Sequence, residues 1–74
     1  MITARAVCNY RQEYQQGEIR LATLGFGPDY LDGANREWAH ATPHLDLRMT
    51  VRGDVAQHFF PGKSYVLQFS EVEV

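Results

Sequence analysis

Apolar and polar side chains alternate along several stretches of this 74-residue chain, and each such stretch predicts a strand with one buried face. Over residues 3–11, Ala4, Ala6, Cys8 and Tyr10 share one parity, whereas Arg5, Asn9 and Arg11 share the other with Val7. The cleanest alternation sets Leu45, Leu47, Met49 and Val51 against Asp46, Arg48, Thr50 and Arg52, a strand with one wet face. Tyr65, Leu67 and Phe69 begin a further strand on one face. Val72 and Val74 then change parity, as a bulge or a strand continuing into a second contact would require. Over residues 18–24, Ile19 and Leu21 oppose Glu18 and Arg20. Ala22 and Leu24 break that alternation, so the end of this strand reads as covered on both sides.

The segments between these strands are punctuated by turn formers. The polar stretch Gln12 to Gln16 ends at Gly17, which takes φ > 0 without penalty, so the first two strands are predicted to pair as an antiparallel hairpin. Gly25 to Arg36 reads as a long loop, broken by three glycines and a proline yet carrying Phe26, Tyr30 and Leu31. Glu37 to Thr42 reads as a short extended piece around Trp38, and Thr42-Pro43 disfavours helix at Thr42. Asp54 is placed to cap a helical turn, in which Val55, Ala56, Phe59 and Phe60 recur at spacings of three and four. Pro61-Gly62 ends it in a turn of type II, with positive φ expected at the glycine. The predicted fold is a single all-β domain over residues 1–74: four or five antiparallel strands in a small, partly open barrel or curled sheet, one end plugged by the short helical turn. The strands around Leu47 and Leu67 are expected to form the core.

Size and composition narrow the choices. A chain this short buries only about 60% of the surface its unfolded form exposes. Such domains often lean on a disulfide, a metal or a partner. Cys8 is the only cysteine, which removes an internal disulfide and reads as a small buried apolar residue. A net charge of −2 gives no broad basic field for nucleic acid. The first residues lack the apolar run of a signal peptide, and no segment approaches a membrane span, so a soluble protein made in a cytoplasm is expected.

Candidate chemistry is sparse. Asp29, Asp32 and Glu37 surround the long loop, but they supply only part of the oxygen pattern of a calcium loop; turn formation is the favoured reading. His40, His44 and His58 lack the close pairing of zinc ligands. Ser64 and Ser70 sit in no nucleophile elbow. No catalytic residue, cofactor or metal is assigned, and the chain is read as a non-enzyme whose site is a surface.

The motifs Asn35 and Trp38, Thr42-Pro43, the alternation Leu45 to Val51, Ala56, Phe59 or Phe60, Pro61-Gly62-Lys63, Tyr65 and Phe69 resemble those of a family of small proteins encoded by tailed bacteriophages. Two features depart from that pattern: Phe59-Phe60 directly precedes Pro61, and the chain ends in Glu71-Val72-Glu73-Val74 rather than a Thr-Pro. The resemblance implies a phage or prophage origin and no particular activity. Together with the residues, it gives a first functional reading: a virion accessory, a capsid decoration or cement protein that contacts the capsid or itself. The contact is expected at residues 26–38 together with 70–74, with Phe26, Tyr30, Leu31, Trp38, Val72 and Val74 as apolar anchors. The alternative is an intracellular protein of the infected host's cytoplasm that binds a host factor or a signalling nucleotide to blunt defence. A third reading, a single-strand nucleic-acid binder of the OB type, needs a basic groove interleaved with stacking aromatics.

Overall fold

The computed structural model describes residues 2–31 and 33–73 and contains four strands and one helical turn. In chain order these are β1 (Ile2–Gln16), β2 (Ile19–Pro28), β3 (Leu47–Arg52), α1 (Gly53–Ala56) and β4 (Ser64–Phe69). They form one antiparallel sheet in the order β3-β2-β1-β4. The sheet is open rather than closed into a barrel. The strands around Leu47 and Leu67, expected to form the core, lie at its two edges with both leucines half-buried against it, and the centre is the β1–β2 hairpin.

That hairpin is longer than the alternation suggested. Gln12 to Gln16 remain in β1, and the turn is only Gly17-Glu18, between the partners Gln16 and Ile19. Gly17 at φ 63° takes the first central position of a two-residue turn. Both faces are polar here because the arm extends past the core. At the other end, β2 runs on through Gly25, Phe26, Gly27 and Pro28, which read as loop in the sequence.

The reason lies across the ladder. Register shifts between Cys8 and Tyr10, leaving Asn9 as the extra residue of a bulge. A Cβ on Gly25 would lie 3.0 Å from the Asn9 Oδ1 and 3.1 Å from the Tyr10 Cβ, and one on Gly27 would lie 3.1 Å from the Asn9 Nδ2. The two glycines are therefore the bed for the Asn9 side chain, not loop formers.

The bulge also reverses parity along β1. Ala4, Ala6 and Cys8 are buried on the inner face, and Cys8 is a free thiol in the core, as read from the sequence. Tyr10, expected beside them, turns to the outer face, where the Arg48 guanidinium lies 5.6 Å from its ring centre. Arg11 and Glu13, opposite Leu24 and Ala22, join the inner face instead. Arg11 donates from Nη1 to the Phe59 carbonyl at 2.9 Å and lies over the Phe60 ring, tying the helical turn to the sheet.

The inner rows of β2 and β3 are Ala22, Leu24 and Phe26 against Val51, Met49 and Leu47. Ala22, Leu24, Phe26 and Val51 are buried with Ala6, Cys8 and Ala56 as one core. Its small side chains let Ala56 of α1 approach closely. Above them Phe26 meets Phe59 edge-on at 5.6 Å and Tyr65 at 6.0 Å, and Phe59 meets Tyr65 at 5.1 Å. Such ring pairs add about 0.5–1.5 kcal/mol each beyond their burial.

The Tyr65 hydroxyl donates to the His58 carbonyl and accepts from the Phe60 N–H, which fixes the connection from α1 to β4. Asp54 does not cap α1: the N-cap is Arg52, no side chain caps the turn, and Asp54 instead pairs with Arg52 at 3.5 Å. Gly62 has φ 91°, and the Lys63 N–H reaches the Phe60 carbonyl, as the Pro61-Gly62 turn requires. β4 ends at Phe69, and residues 70–73 carry no strand, contrary to the parity argument.

Candidate protein interface

Beyond Pro28, β2 no longer covers the N-terminal end of β1, and the backbone there needs other partners. A buried amide supplies them. Asn35 accepts the Arg5 N–H through Oδ1 at 2.6 Å and donates through Nδ2 to the Arg5 carbonyl at 3.0 Å and the Asp29 carbonyl at 3.2 Å. Its side chain thus continues the ladder as a strand residue would. Glu37 does the same one step on, accepting the Thr3 N–H at 2.8 Å.

Asn35 has φ 67°, a left-handed conformation that Asn tolerates better than most residues. The chain after it coils into turns, with the Trp38 and Ala39 N–H groups directed at the Asn35 carbonyl, rather than the extended piece expected there. The same Oδ1 accepts the Trp38 indole N–H at 3.2 Å. One asparagine therefore closes the edge of β1 and orients the tryptophan.

Asp29 anchors the start of this loop. Its Oδ1 accepts the Leu31 N–H at 2.9 Å, and its Oδ2 accepts the Ser64 hydroxyl at 2.9 Å and lies 3.5 Å from the Arg5 Nε. The Leu31 N–H, then the Ser64 hydroxyl, hold this carboxyl below its usual pKa; burial opposes them, and the Arg5 charge adds the smallest lowering effect. The Leu31 bond is the turn geometry read for this aspartate in the sequence. Asp32, its expected companion, lies outside the described residues.

The oriented Trp38 ring lines an apolar hollow of about 140 Å³ with Ile2, Ala4, His44, Leu45 and Phe69. Ile2 and Phe69 are cross-strand partners, and Ala4 forms the floor. Phe69 remains 58% exposed, and Ile2 is exposed beside it. The hollow occupies the half of the inner face that α1 does not reach. Ile2 and Phe69 also line a second depression with Ser70 and Glu71.

The predicted anchors separate on this frame. Phe26 is not a surface anchor: at 2% exposure it is the largest fully buried side chain, because β2 continues through it with inward parity. Trp38 is half-buried and lines the hollow. Tyr30 and Leu31 are exposed, but they line a different depression, with Asp29, Ala39 and His40. Val72 is 81% exposed on the segment after β4, and Val74 lies outside the described residues. Ile2, Leu45 and Phe69 were missed as surface residues; their parity marks them as inward, and nothing in the sequence says that part of the inner face stays uncovered.

Among the described residues no group of three or more His, Cys, Asp or Glu side chains is placed to hold a metal ion. No helix among them is long and apolar enough to cross a membrane. No family model, curated protein or solved structure matches this chain.

Proposed function

We propose that this chain is a phage-encoded, non-enzymatic protein-binding module that serves as a virion accessory, a decoration or cement protein on the capsid. The observation that carries the reading is the contiguous apolar hollow of Trp38, Ile2, Ala4, Leu45 and Phe69, open to solvent at Ile2 and Phe69. Contiguous exposed apolar surface with a polar rim marks protein contact sites, and aromatic side chains commonly dominate their energies. A lattice suits a domain of this size, because binding to the folded state adds to its apparent stability. The resemblance of the Thr42-Pro43 and Pro61-Gly62-Lys63-x-Tyr65 motifs to small tailed-phage proteins supports the phage assignment.

Quantitative mass spectrometry of purified particles tests the reading. Many copies per particle are expected, with loss of the protein from particles on Phe69→Lys. Absence from particles, with retrieval of a host factor or a nucleotide from infected cells, overturns it in favour of a defence-blunting role.

A further inference from the structure

β4 is an edge strand with an unusual sequence for one. Ser64-Tyr65-Val66-Leu67-Gln68-Phe69 contains no charge and no proline, and β4 has no bulge in its pairing with β1. Those are the devices by which exposed edges normally avoid pairing with another chain. The opposite edge is defended, since β3 carries Arg48 and Arg52.

The hydrogen bonds fix which backbone groups β4 presents. The Cys8 N–H bonds the Lys63 carbonyl, and the Cys8 carbonyl accepts from the Gly62 N–H, so Cys8 directs its backbone toward β4. By alternation Ala6, Ala4 and Ile2 do likewise, toward Tyr65, Leu67 and Phe69. Ser64, Val66 and Gln68 therefore direct their N–H and C=O groups to the open edge, where no described strand pairs with them.

Apolar side chains flank that edge on both faces: Val66 is 66% exposed on the outer face, and Phe69 is exposed on the inner one. The molecule also exposes more surface than its mass accounts for. Its accessible area is 5777 Å² for 8.5 kDa. A compact monomer of that mass exposes about 4,650 Å². The excess, roughly 1,100 Å², exceeds the ~800 Å² that each partner contributes to a standard interface. The radius of gyration is likewise 14.2 Å, against about 11 Å for a compact chain of this length.

Resting on the reading of the chain as a protein-binding module, we propose that the occupant of the open β4 edge is a second copy of the chain, with β4 paired antiparallel to β4 of that copy about a two-fold axis at Leu67. The two sheets then become one of eight strands. Opposed residues must share a face, which requires a register centred on a residue rather than between two. Centring on Leu67 sets Tyr65 opposite Phe69 of the second copy and Leu67 opposite its counterpart, so no inner-face apolar residue of β4 lacks an apolar partner. These are non-hydrogen-bonded pairs, whose side chains approach most closely. Val66 and Gln68 supply the new backbone bonds. The two apolar hollows then lie on one continuous face, leaving it free to sit on a capsid.

Sedimentation velocity of the full chain over a concentration series, with three variants, tests this pairing. The wild type is expected to approach twice the chain mass as concentration rises. Gln68→Pro removes an N–H that points only to the open edge, and is expected to keep the circular dichroism spectrum while remaining monomeric. Leu67→Cys is expected to form a disulfide-linked dimer on mild oxidation in several-fold higher yield than Val66→Cys, since Cys8 is buried and unavailable. A wild type that stays monomeric throughout, a Gln68→Pro variant that still dimerises, or preferential cross-linking at Val66 overturns the pairing. A monomeric chain that still binds particles in a Phe69-dependent way removes the self-pairing and leaves the protein-contact reading standing; loss of both removes both.

Discussion

The two halves of the inner sheet face are built from the same alternation and end in different states. Around Phe26, the turn after β3 brings Ala56 and Phe59 down onto Ala22 and Leu24, and the aromatic trio closes the layer. Around Ile2 and Phe69, the described residues that close over the sheet are Trp38, His44 and Leu45, and a hollow remains. Parity decides which way a side chain points. Whether anything lies over it depends on where a connection happens to return, and α1 is too short to span both halves.

This contrast bears first on stability. Phe26→Ala removes the ring against which Phe59 and Tyr65 pack, and should cost about 3–5 kcal/mol, most of the stability of a domain this small. Circular dichroism at 25 °C should show it largely unfolded. A near-native urea midpoint would mean that the covered half is not the core.

Asn35 is the next largest expectation, because it links the two halves. Asn35→Ala removes the acceptor of the Arg5 N–H, leaves the Arg5 carbonyl with only the Asp29 N–H and frees Trp38, and should cost roughly 2–4 kcal/mol. Amide exchange at Thr3 and Arg5 should accelerate more than at Leu24. Uniform acceleration would mean that the asparagine supports the fold as a whole rather than this edge.

Asp29 gives a smaller effect with a defined sign. Its carboxyl titrates lower in the folded state than in the unfolded chain, so the unfolded state binds more protons on acidification. The stabilisation is present above the unfolded value, about 4, and is lost as pH falls through the lower folded value. Asp29→Asn should flatten this acid limb of the stability curve while leaving the curve's shape near neutrality unchanged. An unchanged acid limb would show that the Leu31 and Ser64 hydrogen bonds do not favour the ionised form.

How much of this was visible in the sequence follows from the same division. The four strands, the inward rows Leu47–Met49–Val51 and Tyr65–Leu67–Phe69, the buried Cys8 and the Gly62 turn are all local consequences of side-chain period and backbone freedom, and local rules recovered them. The misreadings share one cause. Gly25 and Gly27 looked like loop because their role, making room for Asn9, depends on a residue 16 or more positions away. That same bulge turned Tyr10 outward, kept Phe26 in a strand and so removed it from the surface.

Asn35 and Trp38 stood out in the sequence as a motif, but the ladder that the asparagine completes is non-local. The hollow was not legible, because an uncovered apolar row and a covered one have the same spelling.

The smallest change to the monomer should come from Phe69→Ser, on the uncovered half, at well under ~1 kcal/mol in dilute solution, because the side chain is already mostly solvated. Its value lies in what it does to association. Urea unfolding of the wild type and of Phe69→Ser, each followed from dilute to concentrated protein, therefore tests the central claim most directly. The two midpoints should coincide when dilute, and only the wild-type midpoint should rise with concentration. A Phe69→Ser chain that is already unfolded when dilute would contradict an inner face that is half core and half contact surface, and wild-type and variant midpoints that both ignore concentration would contradict a second copy as the partner of that surface.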